Sequence, residues 1–222
     1  MKVRVDDKHT VTVTIQKSRT FDPGAGTTVI LGHGAGADMN SPFMRFFADG
    51  LRAAGYAAVR FNFPYTEEGK RAPNPQRLLE STFRAVVAAV RKKHAGRILI
   101  GGKSMGSRMA TYLAAAGEDV DGLVLLGYPL HPAGKPEKRR DDHFPSLEVP
   151  ALFLSGDRDP LCDLALLRDS LTRYGGEATL HVVEGGEHSF KVLKRSGKTH
   201  EESMRGALDV LTWWLKNPRA PE

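Results

Sequence analysis

Arg97-Ile98-Leu99-Ile100-Gly101-Gly102-Lys103-Ser104-Met105-Gly106-Ser107-Arg108-Met109-Ala110 (residues 97–110) changes character twice within one short stretch. Ile98 to Ile100 is an apolar run of the kind that forms a strand buried on both faces. It stops at paired glycines, and Ser107 to Ala116 then carries helix formers. Between strand and helix lies Gly102-x-Ser104-x-Gly106. A strand that turns directly into a helix brings the positions two before and two after the turn into collision, which glycine relieves, and lifts the serine hydroxyl above the sheet. The first turn of the following helix aims free backbone N–H groups at that hydroxyl. Ser104 is therefore a candidate nucleophile, with the Met105 amide as a donor beside it.

A nucleophilic serine needs a base, and the base needs an acid to orient it. In a sheet built this way the acid follows the nucleophile and the histidine follows the acid. Ala151-Leu152-Phe153-Leu154-Ser155-Gly156-Asp157-Arg158-Asp159-Pro160 is an apolar strand ending in glycine and aspartate. Thr179 to Val183 is a further strand, running through Glu184-Gly185-Gly186-Glu187 into His188. Both candidates lie just past the carboxyl end of a strand, where open α/β sheets place their chemistry. Asp159 is preferred to Asp157 because the longer spacing carries it past the strand end toward His188.

The remaining pieces alternate. Met1 to Gln16 reads as an antiparallel pair at a sheet edge, with Val3, Val5, Val11, Val13 and Ile15 at period two. Thr27 to Leu31 is a core strand entering Gly32-His33-Gly34-Ala35-Gly36-Ala37-Asp38-Met39-Asn40. This matches a dinucleotide-binding glycine pattern in form only. Its helix opens late, at Ser41-Pro42, and the next strand, Ala57 to Phe63, ends without an acid for a ribose. The alternative is a loop whose Ala35 or Gly36 amide completes an oxyanion hole with Met105. Gly102-Lys103-Ser104 likewise imitates the end of a phosphate-binding loop, but the preceding residues are a strand and cannot wrap phosphates.

The helix from Ser41 is expected to bury Phe43, Phe47, Leu51 and Ala54. The loop Pro64 to Pro73 leaves its strand at the chemical edge of the sheet. Asn74-Pro75 opens a helix with Leu79, Phe83, Val86, Val87 and Val90 on one face. Asp121 to Leu130 is another strand. The insert after it, His131 to Pro145, is about fifteen residues and too short for a helical lid. Its His131, Asp141, Asp142 and His143 are too irregularly spaced for a metal site. Leu161 to Tyr174 reads as a helix with Leu164, Leu167, Leu171 and Tyr174 inward. Thr199-His200-Glu201-Glu202 is a capping box opening a last helix, with Met204, Leu208, Leu211 and Leu215 on one face and Trp213 and Trp214 packing on the sheet.

The chain has 222 residues, 41% hydrophobic and 26% charged. That suits one α/β domain over residues 1–222. Met1 to Asp6 shows no signal-peptide apolar region, no run approaches the ~20 residues of a membrane helix, and the only cysteine is Cys162. These features lead to the expectation of a cytoplasmic protein that does not bind membranes. The charge balance, 32 Lys+Arg against 26 Asp+Glu, leaves +6. The basic residues are spread out and Lys138-Arg139-Arg140 is followed at once by Asp141-Asp142, so a solvated surface is expected rather than a nucleic-acid site.

With Gly32-His33-Gly34-Ala35-Gly36-Ala37-Asp38-Met39, Phe61-Asn62-Phe63-Pro64-Tyr65, Gly101-Gly102-Lys103-Ser104-Met105-Gly106, Gly127-Tyr128-Pro129-Leu130-His131-Pro132 and Gly186-Glu187-His188-Ser189-Phe190 in order, the chain resembles the α/β-hydrolase superfamily over nearly its whole length. Within it the resemblance is to the small, lidless dienelactone hydrolase-like group that includes testis-expressed protein 30. This implies a mostly parallel sheet of about seven or eight strands with helices on both faces, and a serine esterase or thioesterase acting on a small-molecule acyl ester through Ser104, His188 and Asp159. Dienelactone hydrolase itself uses a cysteine nucleophile, and here Ser104 stands at that position.

Substrate contacts are expected from His33, Lys103, Tyr65, Tyr128 and His131, and Lys103, Lys135 and Arg60 are candidate partners for an anionic acyl group. No metal or organic cofactor is implied, and nothing in the sequence specifies an oligomeric state. Two other readings use the same residues or fold: an acyltransferase or perhydrolase with the same triad, and a non-catalytic binding or assembly module.

Overall fold

The computed structural model describes residues 1–217. The strands and helices run β1 (Lys2–Arg4), β2 (Thr10–Lys17), β3 (Thr28–Gly32), α1 (Pro42–Ala53), β4 (Ala57–Phe61), α2 (Pro64–Glu67), α3 (Gln76–Arg91), β5 (Ile98–Lys103), α4 (Met105–Ala115), β6 (Gly122–Leu126), β7 (Ala151–Gly156), α5 (Leu164–Leu171), β8 (Ala178–Val183) and α6 (His200–Lys216). One eight-stranded sheet has the order β1-β2-β4-β3-β5-β6-β7-β8. β1 and β2 are antiparallel to their neighbours, and every pairing from β4 to β8 is parallel.

The parallel strands alternate between two cores, as a period of two requires. Ile30, Val59, Ile100, Leu125 and Phe153 face the side covered by α3, α4 and α5, where Leu79, Phe83, Met109 and Leu167 pack. Val29, Leu31, Ala58, Leu99, Val124 and Leu154 face α1 and α6, against Phe47, Leu51, Met204, Leu211 and Trp214. The order β4-β3-β5 reverses the direction in which the sheet grows. A crevice opens at the carboxyl ends of such neighbouring strands. The loop after β3 and the turn after β5 both empty into it.

Several local expectations shift. α4 begins directly after Ser104, two residues earlier than its helix formers suggest. α1 buries Met44, Phe47, Ala48 and Leu51, whereas Phe43 is half-buried and Ala54 lies exposed beyond the last helical residue. α5 is shorter than expected because Asp163 caps it, accepting from the Ala165 and Leu166 amides. Leu167 and Tyr174 are buried there, and Leu164 and Leu171 only partly. Trp214 is buried but Trp213 is 52% exposed. Consecutive helical residues point about 100° apart, so both cannot face one sheet. The capping box forms in full: Thr199 accepts from the Glu202 amide, and Glu202 accepts from the Thr199 amide. The insert after β6 carries only a single 3₁₀ turn, Phe144–Ser146. Among the described residues no helix is long and apolar enough to cross a membrane.

Candidate active site

The turn from β5 into α4 is held by close backbone approach. β3 and β5 are in register with Gly32 opposite Gly102. A Cβ at Gly102 or at Gly106 would collide with the Gly32 carbonyl, so three segments meet where none has room for a side chain. Ser104 sits on the crest at φ 51° and ψ −108°, its amide donating to the Leu126 carbonyl at 3.1 Å. The Met105 and Ala35 amides donate to no backbone carbonyl among the described residues, and both residues line the same cleft as Ser104. Gly36 lies outside that cleft, in a neighbouring hollow, and its amide lies against the Tyr65 hydroxyl. Ala35 is thus the better placed of the two alternatives.

Asp159 stands beyond the end of β7 with its carboxylate fully enclosed. Its Oδ1 accepts from the Leu161 amide at 2.8 Å, and its Oδ2 lies 2.7 Å from His188 Nδ1. Toward that carboxylate Nδ1 is the donor, and the other ring nitrogen, Nε2, points away from it. Nε2 is buried and has no partner among the described residues. The hydrogen bond from Ser104 Oγ to Nε2 is not formed. Asp157 is exposed, and it is Asp159 that His188 Nδ1 meets.

The His188 loop is tied down on two sides. Lys103, the residue before Ser104, donates from Nζ to the His188 carbonyl. Phe190 is fully buried at φ 65°, its ring against Phe43 and Phe47, and its carbonyl accepts from Ser203 Oγ of α6 at 2.8 Å. Lys103 itself is buried, its ammonium 5.3 Å from the Phe43 ring centre. Burial lowers its pKa to about 8, opposed by the charges of Asp159 and Glu187.

The cleft above Ser104 has a volume of about 400 Å³. Leu79, Met105, Pro129 and Leu161 give it apolar walls, Pro73 and Asn74 close one side, and Pro132 and Ala133 of the insert close another. None of the expected substrate contacts His33, Lys103, Tyr65, Tyr128 and His131 lines it. They are buried and spend their polar atoms on the protein. His33 donates from Nδ1 to the Gly34 carbonyl at 2.8 Å and accepts the Phe63 amide at Nε2, 3.2 Å away, so it fastens the loop after β3 to the end of β4. Burial pushes its pKa down, which keeps it neutral in that role. The Tyr65 hydroxyl reaches the Gly34 carbonyl, that of Tyr128 reaches the Arg140 carbonyl, and His131 Nε2 accepts the Asp163 amide.

Arg60 is also turned away, donating to the Met39 carbonyl and to Gln16, and exposed Lys135 does not line the cleft. The cations that do line it are Arg108 and Arg140. Arg108 was discoverable from its spacing, one helical turn after Ser104; Arg140 was not, because it lies in a charge run whose neighbour Arg139 does pair with Asp141 and Asp169. Cys162 is buried in the core, and burial pushes its thiol up to about 12, so it offers no thiolate nucleophile at neutral pH. The acids and histidines of the insert are dispersed: Asp141 is held by Arg173 and Ser170, and His143 by Thr111.

Residues 25–216 match the alpha/beta hydrolase domain family, which is most of the chain. The protein is an alpha/beta hydrolase. Solved structures agree on the fold of this hydrolase. Est1E from Butyrivibrio proteoclasticus, with ferulic acid bound, superposes with a TM-score of 0.78 at 15% identity, covering 97% of this chain and 99% of that one. A dienelactone hydrolase from Anabaena variabilis gives 0.77 at 19% identity over 98% and 95% of the two chains. A serine hydrolase without a lid from Xanthomonas campestris gives 0.74 at 22% identity over 100% and 95%. At these identities the likeness fixes the superfamily fold and does not single out the smaller group that includes testis-expressed protein 30.

Proposed function

We propose that this hydrolase is a serine esterase that cleaves a small acyl ester through an acyl-enzyme. The observation that carries the reading is the Asp159–His188 contact at 2.7 Å, with the free Nε2 on a loop tied to the residue next to Ser104. In the first step Ser104 Oγ attacks the ester carbonyl carbon while His188 Nε2 takes its proton. Catalytic hydrogen bonds commonly tighten only when substrate is bound, so the Ser104–His188 contact closes in this step. Asp159 holds the tautomer and stabilises the imidazolium. The carbonyl oxygen, now an alkoxide, is received by the Met105 and Ala35 amides, where losing one donor costs about 3 kcal/mol. Collapse expels the alcohol, which receives the proton from His188. Water then attacks the acyl-serine with His188 as base, releasing the carboxylic acid and restoring Ser104.

The test is labelling with a fluorophosphonate, which phosphonylates an activated serine. Wild type is expected to label, and Ser104→Ala and His188→Ala to lose the label. Folded wild-type protein that stays unlabelled overturns the reading and returns the chain to the class of non-catalytic modules.

A further inference from the structure

Arg108 follows Ser104 by one turn of α4, and its amide donates to the Ser104 carbonyl at 3.1 Å. Helical side chains lean toward the N-terminus, so the Arg108 stem leads back over the turn that carries Ser104. Among the described residues its guanidinium makes no hydrogen bond or ion pair, and its Nε is buried without a partner.

Arg140 enters the same cleft from the insert after β6 and is fixed from behind. Its Nη1 donates to the Pro129 carbonyl at 3.0 Å, its amide to the Leu130 carbonyl at 2.8 Å, and its carbonyl accepts from Tyr128 at 2.6 Å. Nε and Nη2 are left without a protein acceptor among the described residues. Burial, and then the charge of Arg108, disfavour its protonated form. Glu80 and Asp142 share Tyr112 as a neighbour with both arginines but pair with neither. The insert does not lack acids, since the adjacent Arg139 is paired at 2.6 Å with Asp169.

Two like charges brought together in a half-buried cleft without a counter-ion are unfavourable until an anion joins them. Guanidinium forks match the paired oxygens of a carboxylate or phosphate. We propose that Arg108 and Arg140 form an anion subsite, and that the ester cleaved at Ser104 carries a carboxylate or phosphate group that reaches these guanidinium groups while its scissile carbonyl lies at Ser104. The apolar walls from Leu79, Met105 and Leu161 then enclose the short hydrocarbon spacer between the two ends. This inference rests on the serine-esterase reading for its reaction, but not for its binding.

The experiment compares kcat/KM for mono-p-nitrophenyl glutarate and p-nitrophenyl valerate, esters of equal chain length with and without a terminal carboxylate. Wild type is expected to favour the anionic ester at least about tenfold. Arg108→Ala and Arg140→Ala are expected to bring the ratio toward one, Arg108→Lys to keep part of it through its charge, and Arg139→Gln to keep all of it. Competition by glutarate and by inorganic phosphate against valerate hydrolysis, at fixed ionic strength, separates the two anions. Inhibition by glutarate alone assigns a carboxylate, and by phosphate alone a phosphate. A ratio near one with no inhibition by either anion overturns the subsite, as does a preference that survives in both alanine variants. Should Ser104 prove unreactive to fluorophosphonate, calorimetric binding of glutarate and phosphate decides. Binding lost in Arg108→Ala supports the subsite, and no binding to wild type removes it.

Discussion

Ser104 and Phe190 are the described non-glycine residues held at positive φ, 51° and 65°. A side chain in that region costs about 1–3 kcal/mol and persists only where surrounding packing enforces it. Both positions belong to the segments that present the proposed nucleophile and base. The acid between them is unstrained and enclosed, with both oxygens occupied. Asp159→Asn cannot fix the imidazole in the same tautomer, so kcat is expected to fall roughly 10³–10⁴-fold in steady-state assays. Asp157→Asn, at an exposed carboxylate, is expected to match wild type. The placing of Ser104, Asp159 and His188 past strand ends, and the contact between the last two, were legible because residue type, chain order and strand-end position coincide. The cleft walls were not. His33, Tyr65, Tyr128 and His131 have the chemistry of ligand contacts, but only three-dimensional packing shows that they serve the backbone instead. Arg140 looks like ordinary surface charge until it is seen to lack a counter-ion among the described residues, whereas the spacing of Arg108 from Ser104 was there to be read.

Elements were read correctly for the core strands and long helices, whereas the stretch expected as a loop from Pro64 begins with the short helix α2. The parallel strands appeared as apolar runs because helices cover both faces, and the turn from β5 to α4 appeared as glycines because β3 lies against it. Boundaries and helix faces were less legible. The reach of α5 depends on Asp163 acting as a cap, and the burial of Phe43 depends on a ring from the His188 loop, neither of which has a period. The glycine contact also sets a prediction at this scale. Gly106→Ala places a methyl group against the Gly32 carbonyl, which is backbone and cannot swing aside. The expected loss is about 3 kcal/mol or more, above the usual cost of overpacking a core, read as a lower urea midpoint.

For the whole molecule, Lys103 links the nucleophile turn, the His188 loop and the α1 side of the core, and its buried charge leaves a signature in stability. Its pKa is about 8 folded against an ordinary 10.5. Between those values the unfolded chain binds the proton and the native chain does not, so stability rises with pH across that window, by about 3 kcal/mol in total. Lys103→Met is expected to lack this rise. Urea midpoints at pH 7.5 and pH 10 provide the check, taken as the difference between the two proteins so that the tyrosines they share cancel. The Phe190 anchor carries a different consequence. His188 is seated through Phe190, whose ring packs on α1 and whose carbonyl is held by Ser203 of α6, far along the chain from the turn that raises Ser104. Loosening of α6 is therefore expected to disturb the His188 loop before the turn that carries Ser104. Turnover is then a gauge of the carboxy-terminal helix. If His188 is the base proposed here, Ser203→Ala, which frees the Phe190 carbonyl, is expected to lower turnover before circular dichroism reports any change.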